Sequence, residues 1–301
     1  RDLNISLGFH VAILADLQGP KLRVGKMTEG TVVEEGQEVL FTTDKVELGT
    51  ADAIYMNYKQ FPKDVSAGER VLLDDGKLIF EVLETDNEAR VKARVIQGGE
   101  LKSNKGVNLP NTNISLPALT EKDIEDAIFA IKQDVDWIAL SFVRHKQDVE
   151  DLRTLIQEHG KYDIPIISKI EKPEALVNIK EIVKASNALM VARGDLGVEV
   201  PAEEVPIFQK ELVQYAKLAR IPVIVATQMM ESMIDGLTPT RAEVNDVANS
   251  VMDGADAVML SGETSVGKYP VEVIQTMRRI VVSVENSPLI QVPHKAPKKK
   301  N

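Results

Sequence analysis

The sequence predicts an α/β protein, a (β/α)8 TIM-type barrel that is incomplete at its N-terminus, with a small all-β domain inserted into it. Three observations support this fold class. After residue 120, short apolar runs alternate with amphipathic helical patterns. Before it, short β-like runs are separated by turn residues. Polar side chains follow the ends of several of the apolar runs, where barrels build their sites.

Composition limits the classes of protein that the chain can belong to. It has 301 residues, of which 44% are hydrophobic and 27% charged, a balance typical of a globular protein. The formal net charge of −10 argues against nucleic acid as a partner. The sequence contains no cysteine, which removes disulfides and thiol chemistry and agrees with an expected cytoplasmic location. No apolar stretch is long enough to span a membrane, so no membrane partner is expected.

The first visible barrel strand is expected at Val11–Ala15, so residues 1–20 are assigned to the barrel as the tail of a helix and one strand. Residues 21–116 then form the inserted β domain. Its strands are expected at 31–33, 38–42, 70–73, 78–83 and 89–96. Turn pairs such as Asp75-Gly76 and Gly98-Gly99 separate them.

Residues 117–290 are expected to supply the remaining strands and helices of the barrel. Apolar strands are predicted at 137–142, 164–170, 188–192, 223–226 and 257–260. Helices are predicted near 120–132, 146–159, 174–185, 203–219, 240–252 and 270–284. Residues 291–301, rich in lysine and proline, are interpreted as a linker or tail.

A doubly wound sheet would also produce alternating strands and helices. No Gly-x-Gly-x-x-Gly follows any strand, which weakens that interpretation. The barrel is favoured because polar residues end several different strands: Asp16, Ser141, Lys169 with Glu171, Arg193 with Asp195, Thr227, and Ser261 with Glu263.

The strand-end residues suggest a chemistry. Strand alternation puts Lys169 and Glu171 on one side, either as a structural ion pair or as a lysine beside a metal ligand. Asp195 follows Gly194, either in a simple turn or as a second carboxylate for Mg²⁺. Such a metal with an adjacent lysine stabilises a carboxylate-bearing enolate or a phosphoryl group in transfer.

At this point the motifs resemble one family, pyruvate kinase, in order from about residue 11 to 284. The motifs are Asp16-Leu-Gln-Gly-Pro-Lys-Leu-Arg23, Asp74-Asp-Gly76, Lys105-Gly-Val-Asn-Leu-Pro110, Ile167-Ser-Lys-Ile-Glu171, Val191-Ala-Arg-Gly-Asp-Leu-Gly-Val-Glu199, Ala226-Thr-Gln-Met229, Pro239-Thr-Arg-Ala-Glu243, Asp246-Val-Ala-Asn249 and Val258-Met-Leu-Ser-Gly-Glu263. The resemblance implies a glycolytic phosphotransferase that converts phosphoenolpyruvate and ADP to pyruvate and ATP. It also implies that the β domain is a mobile lid.

The resemblance also implies roles for the residues of this chain that match the family's motifs. Glu171 and Asp195 would hold Mg²⁺ or Mn²⁺, and Lys169 would neutralise the transferring phosphoryl group. The substrate carboxylate would accept hydrogen bonds from the backbone N–H groups of Ala192, Arg193, Gly194 and Asp195. The Thr227 side chain would donate a further hydrogen bond to it. Ser261 would lie on the proton path to the enolate. The family usually forms tetramers, so a homo-oligomer is expected.

In the inserted domain, Arg23 and Lys105 would approach the nucleotide phosphates. A lysine stands at position 21, where the family commonly has glutamate, and this resembles the potassium-independent branch. The Lys21 ammonium, with Asp16, would replace the charge of a bound K⁺, so K⁺ is expected not to be required. The alternative is a solvated surface lysine.

A second departure is that the family's opening strands, with their Thr-x-Gly-Pro and Arg-x-Asn-x-Ser-His-Gly motifs, are not found, and residues 1–6 are interpreted as the tail of the second helix. Such a barrel would expose apolar edges. Two other functions are therefore kept open. One is a metal-dependent pyruvate-enolate aldolase or lyase, which would not need Lys105 or the inserted domain. The other is a non-catalytic fragment, for which the missing strands argue.

Overall fold

The structure is a computed structural model that describes residues 1–110, 112–160 and 163–290. The predicted tail at 291–301 lies outside the described residues. The chain divides into two compact units. The barrel unit comprises Arg1–Gly19, Ala118–Leu196 and the chain from Glu203 onward, and the β unit comprises Pro20–Pro117 with Gly197–Ala202.

The helices are, in chain order, α1 Asp2–Leu7, α2 Phe61–Asp64, α3 Glu121–Lys132, α4 Lys146–His159, α5 Pro173–Val177, α6 Ile179–Ala185, α7 Arg193–Glu199, α8 Val205–Ala219, α9 Arg241–Asp253, α10 Gly262–Ser265 and α11 Pro270–Glu285. Short 3₁₀ helices span Ala202–Glu204 and Glu231–Ile234. In the described part of the chain, none of the helices has both the length and the apolar character needed to cross a membrane.

The strands are, in chain order, β1 Leu14–Asp16, β2 Val32–Val33, β3 Glu38–Thr42, β4 Ile54–Tyr55, β5 Arg70–Leu73, β6 Leu78–Thr85, β7 Arg90–Gln97, β8 Gly99–Glu100, β9 Val107–Asn108, β10 Trp137–Leu140, β11 Ile166–Ile170, β12 Ala188–Ala192, β13 Val223–Ala226 and β14 Ala257–Val258.

The barrel unit is built on a parallel sheet whose strand order follows chain order. Within the described residues its six strands run β1, β10, β11, β12, β13, β14, and each pairs in parallel with the next. A doubly wound sheet would reverse its strand order at a switch point, whereas a barrel does not. The predicted TIM-type barrel class is therefore confirmed.

The two faces of this sheet bury different side chains. One face packs against the helices and includes Ile138, Leu140 and Val191. The alternate residues form a smaller apolar cluster on the inner face, which includes Ala139 and Ile167. Since side chains alternate along a strand, Lys169 shares the inner face with Ile167.

The β unit has its own core, as an independently packed module requires. Its main sheet, as far as the described residues go, has the order β4-β3-β7-β6-β5-β9, with antiparallel pairing except between β3 and β4. Phe41 packs edge-on against Phe61 and Phe80, with ring centroids 5.9 and 5.3 Å apart. All three rings are fully buried.

Most predicted elements are confirmed within one or two residues, and the helix predicted at 146–159 is matched at both ends. The helix expected at 174–185 is wrong in one respect, because it breaks at Asn178 into α5 and α6. The Asn178 side-chain amide donates to the Arg144 carbonyl at 3.0 Å, which holds the chain in the break. The first barrel strand also starts late, at Leu14, because the Val11 carbonyl accepts a hydrogen bond from Asn4 instead.

Candidate active site

Lys169 extends from the inner face of β11, close to the carboxyl end of the strand. Its Nζ lies 3.1 Å from Asp16 Oδ1, 3.2 Å from Glu171 Oε1 and 2.7 Å from Ser141 Oγ. Three partners satisfy the three N–H donors of an ammonium group. Of the two carboxylates, Glu171 is 1% exposed and Asp16 is 52% exposed, so Asp16 is the partner that an incoming anion can displace most easily.

Glu171 follows β11 and is buried in spite of its charge. Its Oε2 accepts a hydrogen bond from the Phe142 N–H at 2.6 Å, and its Oε1 faces Lys169. A buried carboxylate needs such partners because its desolvation is costly. The hydrogen bond and the ion pair together hold the carboxylate at the end of β11.

Burial and mutual attraction shift the pKa values of Glu171 and Lys169. Burial raises the pKa of Glu171, the Lys169 charge opposes this rise, and the nearby charge of Asp195 reinforces it. Burial lowers the pKa of Lys169, but the attraction of Glu171 and Asp16 outweighs burial, so this pKa is raised overall. The lysine is therefore held in its charged form beside a carboxylate whose charge is poorly solvated.

The donor set fits a hard divalent cation such as Mg²⁺. Over the described residues, no three or more His, Cys, Asp or Glu side chains gather in a way that could hold an ion. Glu171 and Asp195, whose charges lie close enough to interact, would supply two carboxylates and leave the remaining positions to water and substrate oxygens. Mg²⁺ is commonly bound in this way, and a cation here would also compensate the poorly solvated charge of Glu171.

Asp195 and Gly194 lie in the first turn of α7, directly after β12. The Gly194 N–H donates to Thr227 Oγ1 at 2.8 Å, so the ends of β12 and β13 are joined at this point. A Cβ on Gly194 would lie 3.2 Å from the same oxygen, which explains why glycine suits this position. The Thr227 hydroxyl in turn donates to the Ala226 carbonyl at 2.7 Å.

Three residues that follow the carboxyl ends of barrel strands have a strained backbone. Thr227, Gln228 and Phe142 have φ values of 72°, 55° and 54°, in the left-handed region that non-glycine residues avoid. Each such residue costs on the order of 1–3 kcal/mol and persists only where its surroundings impose it. Such strain is typical of functional sites, and here it lies at the ends of β10 and β13.

Ser261, after β14, is held by a buried carboxylate. The Ser261 N–H donates to Glu263 Oε2 at 2.8 Å, and the Met230 N–H donates to Glu263 Oε1 at 3.1 Å. Glu263 therefore ties the chain after β13 to the chain after β14. The sequence placed Glu263 at a strand end but gave no sign of this contact.

The segment after β1 is fixed to its neighbours by small residues. Ser141 Oγ donates to the Leu17 carbonyl at 2.7 Å, and the Gly19 N–H donates to the fully buried Asp123 at 3.0 Å. Gly19 has a φ of 71°, and a Cβ there would lie 2.7 Å from the Phe142 ring. Asp123 also forms a capping box with Thr120 at the start of α3.

In the β unit, Arg23 and Lys105 lie on adjoining segments. Arg23 forms an antiparallel bridge with Gly106, and its Nη1 donates to the Asn104 carbonyl at 2.9 Å. Lys105 Nζ lies 2.8 Å from Asp74 Oδ1, and this hydrogen bond is the main reason that the pKa of Asp74 is lowered. The two predicted nucleotide-binding cations therefore lie in one part of this unit, as does Lys21, which is exposed.

The barrel unit thus joins Lys169, Glu171 and Asp16 directly, and it joins Gly194 to Thr227. The sequence assigned no role to Ser141, although this residue stands at a predicted strand end. It also did not foresee the direction of the Arg193 side chain, whose Nη1 lies 2.6 Å from Asp246 Oδ1. That contact is between residues far apart in the chain, so no local pattern could reveal it.

The fold and the strand-end site define a TIM-type barrel domain with a candidate metal site. Residues 1–274 match the family described as "Pyruvate kinase, barrel domain". The chain belongs to the pyruvate kinase family.

Known relatives agree with this assignment. The chain is 54% identical over 275 residues to a pyruvate kinase of Corynebacterium glutamicum, covering 91% of this chain and 57% of that protein. It is 50% identical over 294 residues to a pyruvate kinase of Mycobacterium tuberculosis, covering 95% and 61%. A crystal structure of a pyruvate kinase from Cryptosporidium parvum matches with a TM-score of 0.88 and 39% identity, covering 94% of this chain and 59% of that one.

The chain therefore spans about three fifths of the length of these relatives. These matches give no support to the aldolase or to the non-catalytic fragment that the sequence left open.

Proposed function

We propose that the chain carries the site of a glycolytic phosphotransferase that transfers the phosphoryl group of phosphoenolpyruvate to ADP, giving ATP and, after protonation of the enolate, pyruvate. The observation that carries the proposal is the contact between Lys169 and the buried Glu171 on the inner face of the sheet, in a chain of the pyruvate kinase family.

Lys169 is proposed as the group that neutralises the phosphoryl group in transfer. Its Nζ is held between Glu171 and Asp16, and the raised pKa keeps it charged at neutral pH. An incoming phosphoryl oxygen would replace the exposed Asp16 as a partner. Because the ammonium is already oriented, little reorganisation is needed at the moment of transfer.

Glu171 and Asp195 are proposed to hold Mg²⁺ or Mn²⁺. When bound, such an ion polarises substrate oxygens and stabilises the developing enolate charge. The Phe142 N–H keeps the Glu171 carboxylate at the end of β11.

The substrate carboxylate is proposed to bind at the start of α7 and at Thr227. The backbone N–H groups of Arg193, Gly194 and Asp195 in the first turn of α7 would face it, together with that of Ala192 at the end of β12, since amides at the start of a helix attract anions. The Thr227 hydroxyl would exchange its bond to the Ala226 carbonyl for one to the carboxylate. Ser261 is proposed to lie on the path of the proton that converts enolate to pyruvate.

Arg23 and Lys105 are proposed to bind the ADP and ATP phosphates, with the inserted domain acting as a lid. Support comes from their placement on adjoining segments of one unit. Lys21, with Asp16, is proposed to replace a bound K⁺. A cytoplasmic location and a homo-oligomer, which in the family is usually a tetramer, complete the proposal.

The test is pyruvate formation from phosphoenolpyruvate and ADP with Mg²⁺ or Mn²⁺, with and without K⁺. We expect turnover that needs the divalent metal and does not need K⁺, and K⁺ dependence in Lys21→Glu. K⁺ dependence of the unaltered chain would contradict the proposed role of Lys21 but not the proposed phosphotransferase activity. A folded chain that forms no pyruvate under any of these conditions would contradict the phosphotransferase.

A further inference from the structure

The turn after β13 holds two successive residues in an unfavourable backbone conformation. Thr227 and Gln228 have φ values of 72° and 55°, and neither is glycine. For a β-branched residue such as threonine, this conformation is a genuine outlier. Surrounding groups must therefore hold the turn, and the turn decides where the Thr227 hydroxyl lies.

The guanidinium of Arg193, at the end of the neighbouring strand β12, donates hydrogen bonds to this turn. Its Nη2 donates to the Thr227 carbonyl at 2.8 Å, and its Nε donates to the Ala226 carbonyl at 3.4 Å. The next residue, Gly194, donates its N–H to Thr227 Oγ1 at 2.8 Å. Two consecutive residues therefore hold both oxygens of Thr227, the carbonyl and the hydroxyl.

The guanidinium is itself fixed from the helix layer. Its Nη1 donates to Asp246 Oδ1 on α9 at 2.6 Å and to Gln209 Oε1 on α8 at 3.3 Å. The Arg193 side chain is 13% exposed, so its charge is poorly solvated and the carboxylate of Asp246 is its counterion. Charge-assisted hydrogen bonds of this kind are short and strongly directional.

We propose that Asp246 and the Arg193 side chain are positioning residues that set the Thr227 hydroxyl in place for the substrate carboxylate. The inference rests on the proposed function insofar as Thr227 contacts substrate. It gives a role to the Asp246-Val-Ala-Asn249 motif, to which the sequence assigned none. Asp246 holds the Arg193 guanidinium, and the guanidinium in turn holds the strained turn at Thr227.

A second ion pair in the same helix layer offers a matched control. Lys210 on α8 pairs with Asp253 on α9. Lys210→Met breaks a contact between these helices without touching Arg193 or Thr227. A general loosening of α8 and α9 would therefore follow from either change. Loss of the turn would follow from changes at Asp246 or Arg193, whereas Lys210 reaches Arg193 only indirectly, through the long contact of Asp253 with Gln209 Nε2 at 3.5 Å.

The first test measures hydrogen exchange of the Gly194 amide in the full chain, because this amide donates to Thr227 Oγ1. We expect exchange at least about tenfold faster in Asp246→Ala and in Arg193→Lys, since a lysine cannot reproduce the fork of donors. Lys210→Met should leave the rate unchanged. Unchanged exchange in the folded Arg193→Lys chain, or equal acceleration in Lys210→Met, would overturn the proposal.

The second test is a double-mutant cycle on the affinity for phosphoenolpyruvate with Mn²⁺. We expect Asp246→Ala to weaken binding about tenfold in the unaltered chain and hardly at all in a Thr227→Val background, because both changes remove the same contact. Additive losses would contradict an action through Thr227. If the unaltered chain binds no phosphoenolpyruvate, the proposed function fails, and the Gly194 exchange rates still decide whether Asp246 holds the turn.

Discussion

The ammonium nitrogen of Lys169 lies 3.2 Å from a carboxylate oxygen of Glu171, a side chain that is almost completely buried. The two residues are separated by one position at the end of β11, so the pleat of the strand brings them to one side. Burial of the carboxylate works against its charge, and the lysine offsets part of that cost. The pair is therefore poised to gain from a cation, and this is the centre of the functional proposal.

Replacing Lys169 by methionine should lower kcat for pyruvate formation by about 10²- to 10³-fold, because an oriented charge at the reacting group is lost. The measurement is initial rate at saturating substrates, with circular dichroism to confirm folding. Lys180→Met serves as the control, since Lys180 is exposed on α6. A kcat within about twofold of the unaltered chain would contradict the assigned role of Lys169.

Replacing Glu171 by glutamine should weaken Mn²⁺ binding by more than about 100-fold, because even groups behind the metal ligands contribute about 10- to 100-fold. Electron paramagnetic resonance of free Mn²⁺ measures this affinity directly. Glu181→Gln, on the exposed side of α6, should bind Mn²⁺ as the unaltered chain does. Equal affinities in the two variants would remove Glu171 from the metal site.

Replacing Lys105 by methionine should raise the KM for ADP by about 10- to 100-fold, the loss expected for one charge-assisted hydrogen bond. Lys77 offers a matched control, since its Nζ lies 3.6 Å from the other oxygen of Asp74 and it has no proposed role. Steady-state kinetics with ADP varied compares the two variants. If Lys77→Met raised the KM as much as Lys105→Met, the effect would come from Asp74 and not from a nucleotide contact.

Replacing Gly19 by alanine should destabilise the barrel unit by about 2–5 kcal/mol, the sum of left-handed strain and overpacking. A Cβ there would lie 2.7 Å from Phe142 and 2.9 Å from Ser141. Gly8 has a similar φ of 68° with no atom within 4 Å of its Cβ position, so Gly8→Ala should cost only about 1–2 kcal/mol. Urea denaturation measures both, and equal losses would mean that the Gly19 contact carries no energy.

The phenol of Tyr58 should ionise well above the ordinary range of a tyrosine. Burial and a hydrogen bond to Asp64 raise the pKa of Tyr58 from 10.0 to about 12. The folded state then holds the Tyr58 proton more tightly than the unfolded chain does. The contribution of this group to the free energy of unfolding is therefore fully present below pH 10 and is lost as the pH rises toward 12. Phenolate absorbance should show a late transition that Tyr58→Phe removes, and an unchanged titration curve would contradict the assignment.

Much of the barrel could be predicted from the sequence because its strands are continuous apolar runs and its helices carry clear caps. Capping boxes begin α3 at Thr120 and α9 at Thr240, and the Thr-x-x-Asp and Thr-x-x-Glu patterns that form them are present in the sequence. The break at Asn178 could not be predicted, because the side-chain contact that holds it reaches Arg144, on a different strand–helix unit. Local propensity and periodicity contain no information about such a contact.

In the candidate site, too, contacts between near neighbours in the chain could be predicted and contacts between distant residues could not. Lys169 and Glu171 could be paired from the two-residue period of a strand. The direction of the Arg193 side chain could not be found from sequence, because its partners Asp246 and Gln209 lie on later helices. The sequence also could not show that Gly197–Ala202, at the end of α7 and beyond it, belongs to the β unit.

The most direct test of the central claim is calorimetric titration of phosphoenolpyruvate into the unaltered chain and into Glu171→Gln, with and without Mn²⁺. We expect the unaltered chain to bind phosphoenolpyruvate only when Mn²⁺ is present, and Glu171→Gln to lose this metal-dependent binding. Binding of equal strength in both chains, or in the absence of Mn²⁺, would contradict a site organised around Lys169 and Glu171.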